Sequence, residues 1–240
     1  MEWLSNGEIW AALFTLTTME IVLGIDNIIF IALLAEQLPE EKQKMVRLVG
    51  LGLAMFSRIA LLASLAWVMG LTKPLFTIGT EFSGRDILLL VGGLFLIAKA
   101  TKEIHRRIEG EEELDPSKKK YPSVAGTLFQ IMLLDLVFSL DSVITAVGMA
   151  NQLWVMIVAI VIAVLIMMIF AESVSKFIHD HPTIKMLALS FLLLIGVFLV
   201  AESIDHHINK NYIYAAITFS LFVEGLNIAS GKKKKVVEYH

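Results

Sequence analysis

Glu20-Ile-Val-Leu-Gly-Ile-Asp26-Asn27 sets two acids inside an otherwise apolar run, Ile9–Leu34. The pattern returns as Asp135-Leu-Val-Phe-Ser-Leu-Asp141-Ser142 inside a second such run, Val124–Ala150. Runs of this length match the ~20 residues a helix needs to cross ~30 Å of hydrocarbon. A carboxylate at the centre of a bilayer costs ~2.5–3.5 kcal/mol on insertion scales, so each must face protein, water or a cation. The reading of the whole chain turns on these four acids.

Working outward, five more runs qualify as spans: Val46–Gly70, Ile87–Ala100, Leu153–Glu172, Met186–Ser203 and Tyr212–Ala229. The third is short and extends into Lys99–Ile104. The composition agrees, with 57% hydrophobic residues against ~45–50% in soluble domains, and a mean hydropathy of +0.74. The expected fold is all-α, a seven-span helical bundle. Pro39, Pro74, Pro116, Pro122 and Pro182 all fall in connectors or at helix starts, so no proline interrupts a span. The connectors after spans four and six read as tight.

The start, Met-Glu-Trp-Leu-Ser-Asn-Gly-Glu, has no basic n-region, and the run behind it is too long for a signal h-region. Lys and Arg gather in alternate connectors: Lys42, Lys44 and Arg47; Lys102, Arg106, Arg107 and Lys118–Lys120; Lys176 and Lys185; and the tail Lys232–Lys235. The opposite connectors hold only Lys73, Arg85 and Lys210. By the positive-inside rule the amino terminus lies outside and the carboxy terminus in the cytoplasm, as for an inner-membrane-type protein. Residues 105–123 form a cytoplasmic loop and 230–240 a cytoplasmic tail, with 1–229 a single transmembrane domain.

Leu13–Leu38 and Leu128–Leu153 align at an offset of 115, with identities at Leu13/Leu128, Phe14/Phe129, Val22/Val137, Asp26/Asp141, Ile29/Ile144, Ala35/Ala150, Gln37/Gln152 and Leu38/Leu153. Glu20 falls on Asp135, Gly24 on Ser139 and Asn27 on Ser142. A weaker echo relates Leu89-Leu90-Val91-Gly92 and Phe95–Ala98 to Leu193–Gly196 and Phe198–Ala201. The repeat unit is then three helices, 9–104 and 124–207, with span seven (212–229) outside it. An odd number of spans inverts the second copy, an architecture that puts transport sites at the repeat interface near the midplane.

Six residues advance ~600° around a helix, leaving the two acids of each copy ~120° apart and ~9 Å along the axis. They reach one ion if the helix opens between them. Gly24 and Ser139 stand there in both copies, which predicts discontinuous or kinked helices. The four carboxylates with Asn27 and Ser142 would make a hard oxygen cage suited to Mn²⁺, Mg²⁺ or Ca²⁺. With no cysteine, thiolate sites and disulfides are excluded. Arg58, Glu202 and Glu224 are the other intramembrane charges. Arg58 should pair with one of the acids, either as a structural ion pair or as a stand-in for the cation. Glu172 and Lys99 read as snorkelling residues. His179-Asp180-His181 and Asp205-His206-His207 read as interfacial residues rather than metal ligands.

The two acid motifs, Arg58 and the Leu88–Ile97 run closely resemble the TerC family of bacterial membrane proteins, over Ile9 to Asn227. That family belongs to the wider LysE-type transporter group and takes its name from a tellurite-resistance association. The resemblance implies metal-ion efflux, chiefly of manganese, with the motif acids on Glu20, Asp26, Asp135 and Asp141. Mn²⁺ is thus the expected transported ion, with no organic cofactor. The expected partners are the cation and the bilayer, with no nucleic acid; homo-oligomers and membrane-protein partners stay open. An enzyme is not expected: Leu23-Gly24-Ile25-Asp26 lacks the Gly-x-Gly-Asp run of intramembrane aspartyl proteases. The alternatives are an assembly or metal-loading factor docking through Lys102–Lys120, and an exporter of another small solute such as an amino acid.

Overall fold

A computed structural model describes residues 7–64, 74–78, 80–109, 121–149, 153–206 and 208–237, leaving out the side chains of 23, 26, 74, 76–78, 80–81, 140–149, 210 and 231–237. The order is α1 (Gly7–Glu36), α2 (Glu40–Ala63), β1 (Pro74–Ile78), β2 (Thr80–Ser83), α3 (Gly84–Glu109), α4 (Val124–Met149), α5 (Leu153–Asp180), α6 (Pro182–Ser203) and α7 (Lys210–Val237). Each of the seven expected spans coincides with a helix, the second being helical to Ala63 with 65–70 outside the described residues, and the all-α class holds apart from one hairpin.

The helices overrun the apolar runs because charged residues extend them into the interface. α3 continues to Glu109 and α7 to Val237, so the loop expected from residue 105 and the tail expected from 230 begin later. α1, α2, α5, α6 and Asn211–Ser230 of α7 are long and apolar enough to cross a membrane. α3 has only twelve uncharged residues between Asp86 and Lys99, short of the ~20 a full span uses. α4 is apolar over Val124–Ser139.

β1 and β2 pair antiparallel, with Phe76 opposite Phe82, Thr77 opposite Glu81 and Ile78 opposite Thr80. The sequence reading treated this segment as a plain connector. Ser83 ends the hairpin and starts α3 through a capping box. Its amide donates to Asp86 Oδ2 at 2.8 Å, and the Asp86 amide donates back to Ser83 Oγ at 3.3 Å. Among the described residues the tightest helix connection follows the fifth helix: α5 ends at Asp180 and α6 starts at Pro182, with His181 between. Pro182 occupies the first turn of α6, where its missing N–H is not needed.

The chain divides into two compact units. Unit 1 is Met1–Leu88 with Asp115–Ile178; unit 2 is Leu89–Leu114 with His179–His240. In unit 1, α2 packs on α4, and α1 packs on both. α1 turns Val22 and Ile25 outward and buries Leu16, Ile28, Ile31, Leu34 and Ala35. Small residues, Ala159 and Ala163 of α5, are fully buried; small side chains let membrane helices approach closely where there is no hydrophobic drive between them. Exposed Phe14, Phe56, Leu165, Ile169 and Phe170 suit an exterior facing lipid tails rather than water.

In unit 2, Gly93 of α3 and Gly196 of α6 meet backbone to backbone. A Cβ on Gly93 would lie 2.7 Å from the Gly196 carbonyl oxygen, and one on Gly196 would lie 3.0 Å from that of Gly93. The flanking contacts mirror each other: Val200 lies against Gly93, and Ile97 against Gly196.

Candidate functional site

Glu20 and Asp135, the acids that align between the two motifs, meet on one guanidinium. Arg58 of α2 donates from Nη1 to Glu20 Oε2 at 2.6 Å. It donates from Nε and Nη2 to Asp135 Oδ1 at 3.1 and 2.9 Å. All three side chains are buried, Arg58 and Asp135 at 3% exposure and Glu20 at 8%. Burial of this kind is sustainable only because the charges are paired and hydrogen-bonded.

Two further donors complete the surroundings of Asp135. Asn27 Nδ2 donates to Oδ1 at 3.1 Å, and Ser57 Oγ to Oδ2 at 3.0 Å. A carboxylate offers about four lone-pair sites, and Asp135 accepts from four donor atoms. Three helices contribute: α1 brings Glu20 and Asn27, α2 brings Ser57 and Arg58, and α4 brings Asp135. Glu20 and Asn27 are seven residues apart, close to two turns, which places them on one face of α1. Thr17, three residues before Glu20, has a buried hydroxyl oxygen with no hydrogen-bond partner among the described residues.

The helices do not open at Gly24 and Ser139, contrary to the sequence expectation. α1 runs unbroken from Gly7 to Glu36, and α4 from Val124 to Met149. In hydrocarbon a freed backbone group has no water to bond, so the ladder persists unless a neighbour replaces it. Ser139 Oγ instead donates to the Asp135 carbonyl at 2.5 Å, the i−4 back-bonding that a mid-helix serine adopts in place of a break. Gly24 serves packing. A Cβ there would lie 2.5 Å from Sδ of Met167, on α5.

Of the expected ligands, the structure brings together Glu20, Asn27 and Asp135, with Arg58 between the acids. The side chains of Asp26, Asp141 and Ser142 lie outside the described residues. Glu202 and Glu224 belong to unit 2. Glu224 accepts from Asn227 at 3.3 Å and also bonds Thr183. Glu172 pairs with Lys44 at 2.9 Å, both side chains about two-thirds exposed. His179 ends α5, His181 precedes α6, and His206 Nδ1 lies 3.0 Å from the Ile204 carbonyl; His207 lies outside the described residues. Among the described residues, no three His, Asp or Glu side chains are grouped to hold a metal. Sequence reasoning missed Ser57, whose one signal was its place beside Arg58.

The fold and this buried polar cluster define a polytopic helical membrane protein. Residues 5–237 match the integral membrane protein TerC family, and the chain belongs to that family. The "UPF0053 inner membrane protein YgdQ" of Escherichia coli is 55% identical over 232 residues, 96% of this chain and 97% of that protein. A "UPF0053 protein" of Haemophilus influenzae is 55% identical over 228 residues, 95% of this chain and 96% of its own. The longer "UPF0053 inner membrane protein YoaE" of Escherichia coli is 50% identical over 228 residues, which are 44% of its length. No solved structure matches the chain. These kinships place the chain in the bacterial inner membrane.

Proposed function

We infer that the protein exports divalent metal cations, Mn²⁺ foremost, by alternating access around a midplane carboxylate site. The observation that carries this reading is the convergence of Glu20 and Asp135 on one buried position, with Arg58 between them. Corresponding acids of two sequence repeats meet there, as expected where a transport site forms between repeats. Arg58 acts as a stand-in cation. An incoming divalent ion takes over the carboxylate oxygens that the guanidinium holds, and Arg58 swings aside. Asp26 and Asp141 supply the further negative charge a divalent ion needs.

The reciprocal contact of Gly93 with Gly196, flanked by Ile97 and Val200, supports the inverted repeat. Reciprocal contacts of this kind are what a two-fold relation produces. One repeat rocks against the other, driven by exchange for protons or by the membrane potential, with the amino terminus outside and the carboxy terminus in the cytoplasm.

The test is Mn²⁺ flux in proteoliposomes carrying the full chain. Asp26→Asn and Asp141→Asn should each abolish flux while leaving the protein folded. Undiminished flux in both variants contradicts the site.

A further inference from the structure

We propose that the thioether of Met167 is a metal ligand of this site and makes it select divalent transition metals over Mg²⁺ and Ca²⁺. The inference rests on the cation-site reading above and deepens it.

The polar cluster straddles Gly24. Glu20 lies four residues before it and Asn27 three after, ~6 and ~4.5 Å along the axis of α1. In angle, the Cα–Cβ direction at Gly24 falls ~40° from that at Glu20 and ~60° from that at Asn27. Glu20 reaches Arg58, Arg58 reaches Asp135, and Asn27 closes back onto Asp135. The atom seated on Gly24, at the level of this ring, is Met167 Sδ. It lies 2.5 Å from where a Cβ would be, nearer than the methyl Cε at 3.0 Å. Only a glycine admits sulfur there. Met167 is 3% exposed, so its sulfur is held within the protein rather than turned to lipid.

Carboxylate and amide oxygens alone suit Mg²⁺ and Ca²⁺ as well as Mn²⁺. Mg²⁺ requires oxygen ligands in near-ideal octahedral geometry and sheds its waters reluctantly. A polarizable thioether is a poor ligand for it and an acceptable one for softer transition ions. One sulfur among hard oxygens therefore penalises Mg²⁺ and Ca²⁺ and spares the transition metal. The chain has eleven methionines and no cysteine, so a thioether is the softest ligand it can offer.

The absence of cysteine also makes the test specific. The purified full-length protein is loaded with Cd²⁺, a thiophilic probe, and examined by X-ray absorption at the cadmium edge. Mn²⁺ and Mg²⁺ competition is measured on the same preparation. The proposal expects a sulfur scatterer in the first shell of the wild type, lost in the volume-conserving variant Met167→Leu. It also expects the Mn²⁺-over-Mg²⁺ preference to fall by about tenfold in that variant. An all-oxygen Cd²⁺ shell in the wild type, a sulfur scatterer that survives Met167→Leu, or an unchanged preference overturns the thioether and leaves the cation site standing. If Met167→Leu does not fold, Met167→Ala takes its place in the comparison, and an all-oxygen shell in the wild type overturns the proposal without either variant. A wild type that binds none of the three ions overturns the underlying site as well.

Discussion

Arg58 holds Asp135 through two nitrogens of its guanidinium, Nε at 3.1 Å and Nη2 at 2.9 Å, both on the same carboxylate oxygen. The remaining arm, Nη1, goes to Glu20. One permanently charged guanidinium thus joins α1, α2 and α4.

Removing Arg58 strands two carboxylates in the core. Breaking a buried ion pair from one side costs about 3–5 kcal/mol. Arg58→Met should therefore lower the unfolding temperature sharply in detergent. The combined variant Arg58→Met, Glu20→Gln, Asp135→Asn should recover much of the loss, since no charge is left unpaired. Thermal melts of the single and combined variants check this. Equal losses in both contradict the pairing as the source.

Ser57→Ala removes the sole described donor to Asp135 Oδ2. A hydrogen bond to a charged group is worth about 1.5–3 kcal/mol. The variant should fold, lose about that much stability, and show altered Mn²⁺ flux in proteoliposomes. A change in neither quantity contradicts the assignment of Ser57 to the site.

Gly24→Ala puts a methyl group against Met167 Sδ. The sulfur is near the far end of a flexible side chain that can shift to make room, so the cost should stay below about 1 kcal/mol. The penalty should shrink when Met167→Ala is added, because the sulfur that meets the new methyl is gone. A double-mutant cycle on unfolding free energy reads the coupling; additive losses contradict the contact.

Gly93→Ala and Gly196→Ala should each destabilise unit 2, by about 1–3 kcal/mol. Their effects should be non-additive, because both strain the same backbone approach. Thermal unfolding of the three variants measures this.

The residues that carried the sequence reading were those whose chemistry is costly in a bilayer. Glu20, Asp135 and Arg58 stand out in apolar runs, and a charge there must find a partner, so their meeting could be anticipated from charge alone. The helices themselves followed from length and hydropathy. Gly24 was misread for a physical reason: glycine signals both a loose backbone and a close approach, and which applies depends on Met167, 143 residues away in the chain. Ser139 was misread in the same way, because its hydroxyl can cap a broken helix or bond back along an intact one, and it does the latter. Ser57 carries no charge, and its one mark in the sequence was its place beside Arg58. The hairpin at Pro74–Ser83 was hidden because strands of five and four residues are too short to show a clear alternation; Ser83 and Asp86 did carry a legible capping box.

The most direct measurement is anomalous diffraction from crystals of the full chain soaked in Mn²⁺. The account predicts one dominant manganese peak within coordination distance of the Glu20 and Asp135 carboxylates, with the Arg58 guanidinium displaced from Asp135. A peak elsewhere, with Arg58 still bridging Glu20 and Asp135, would contradict it.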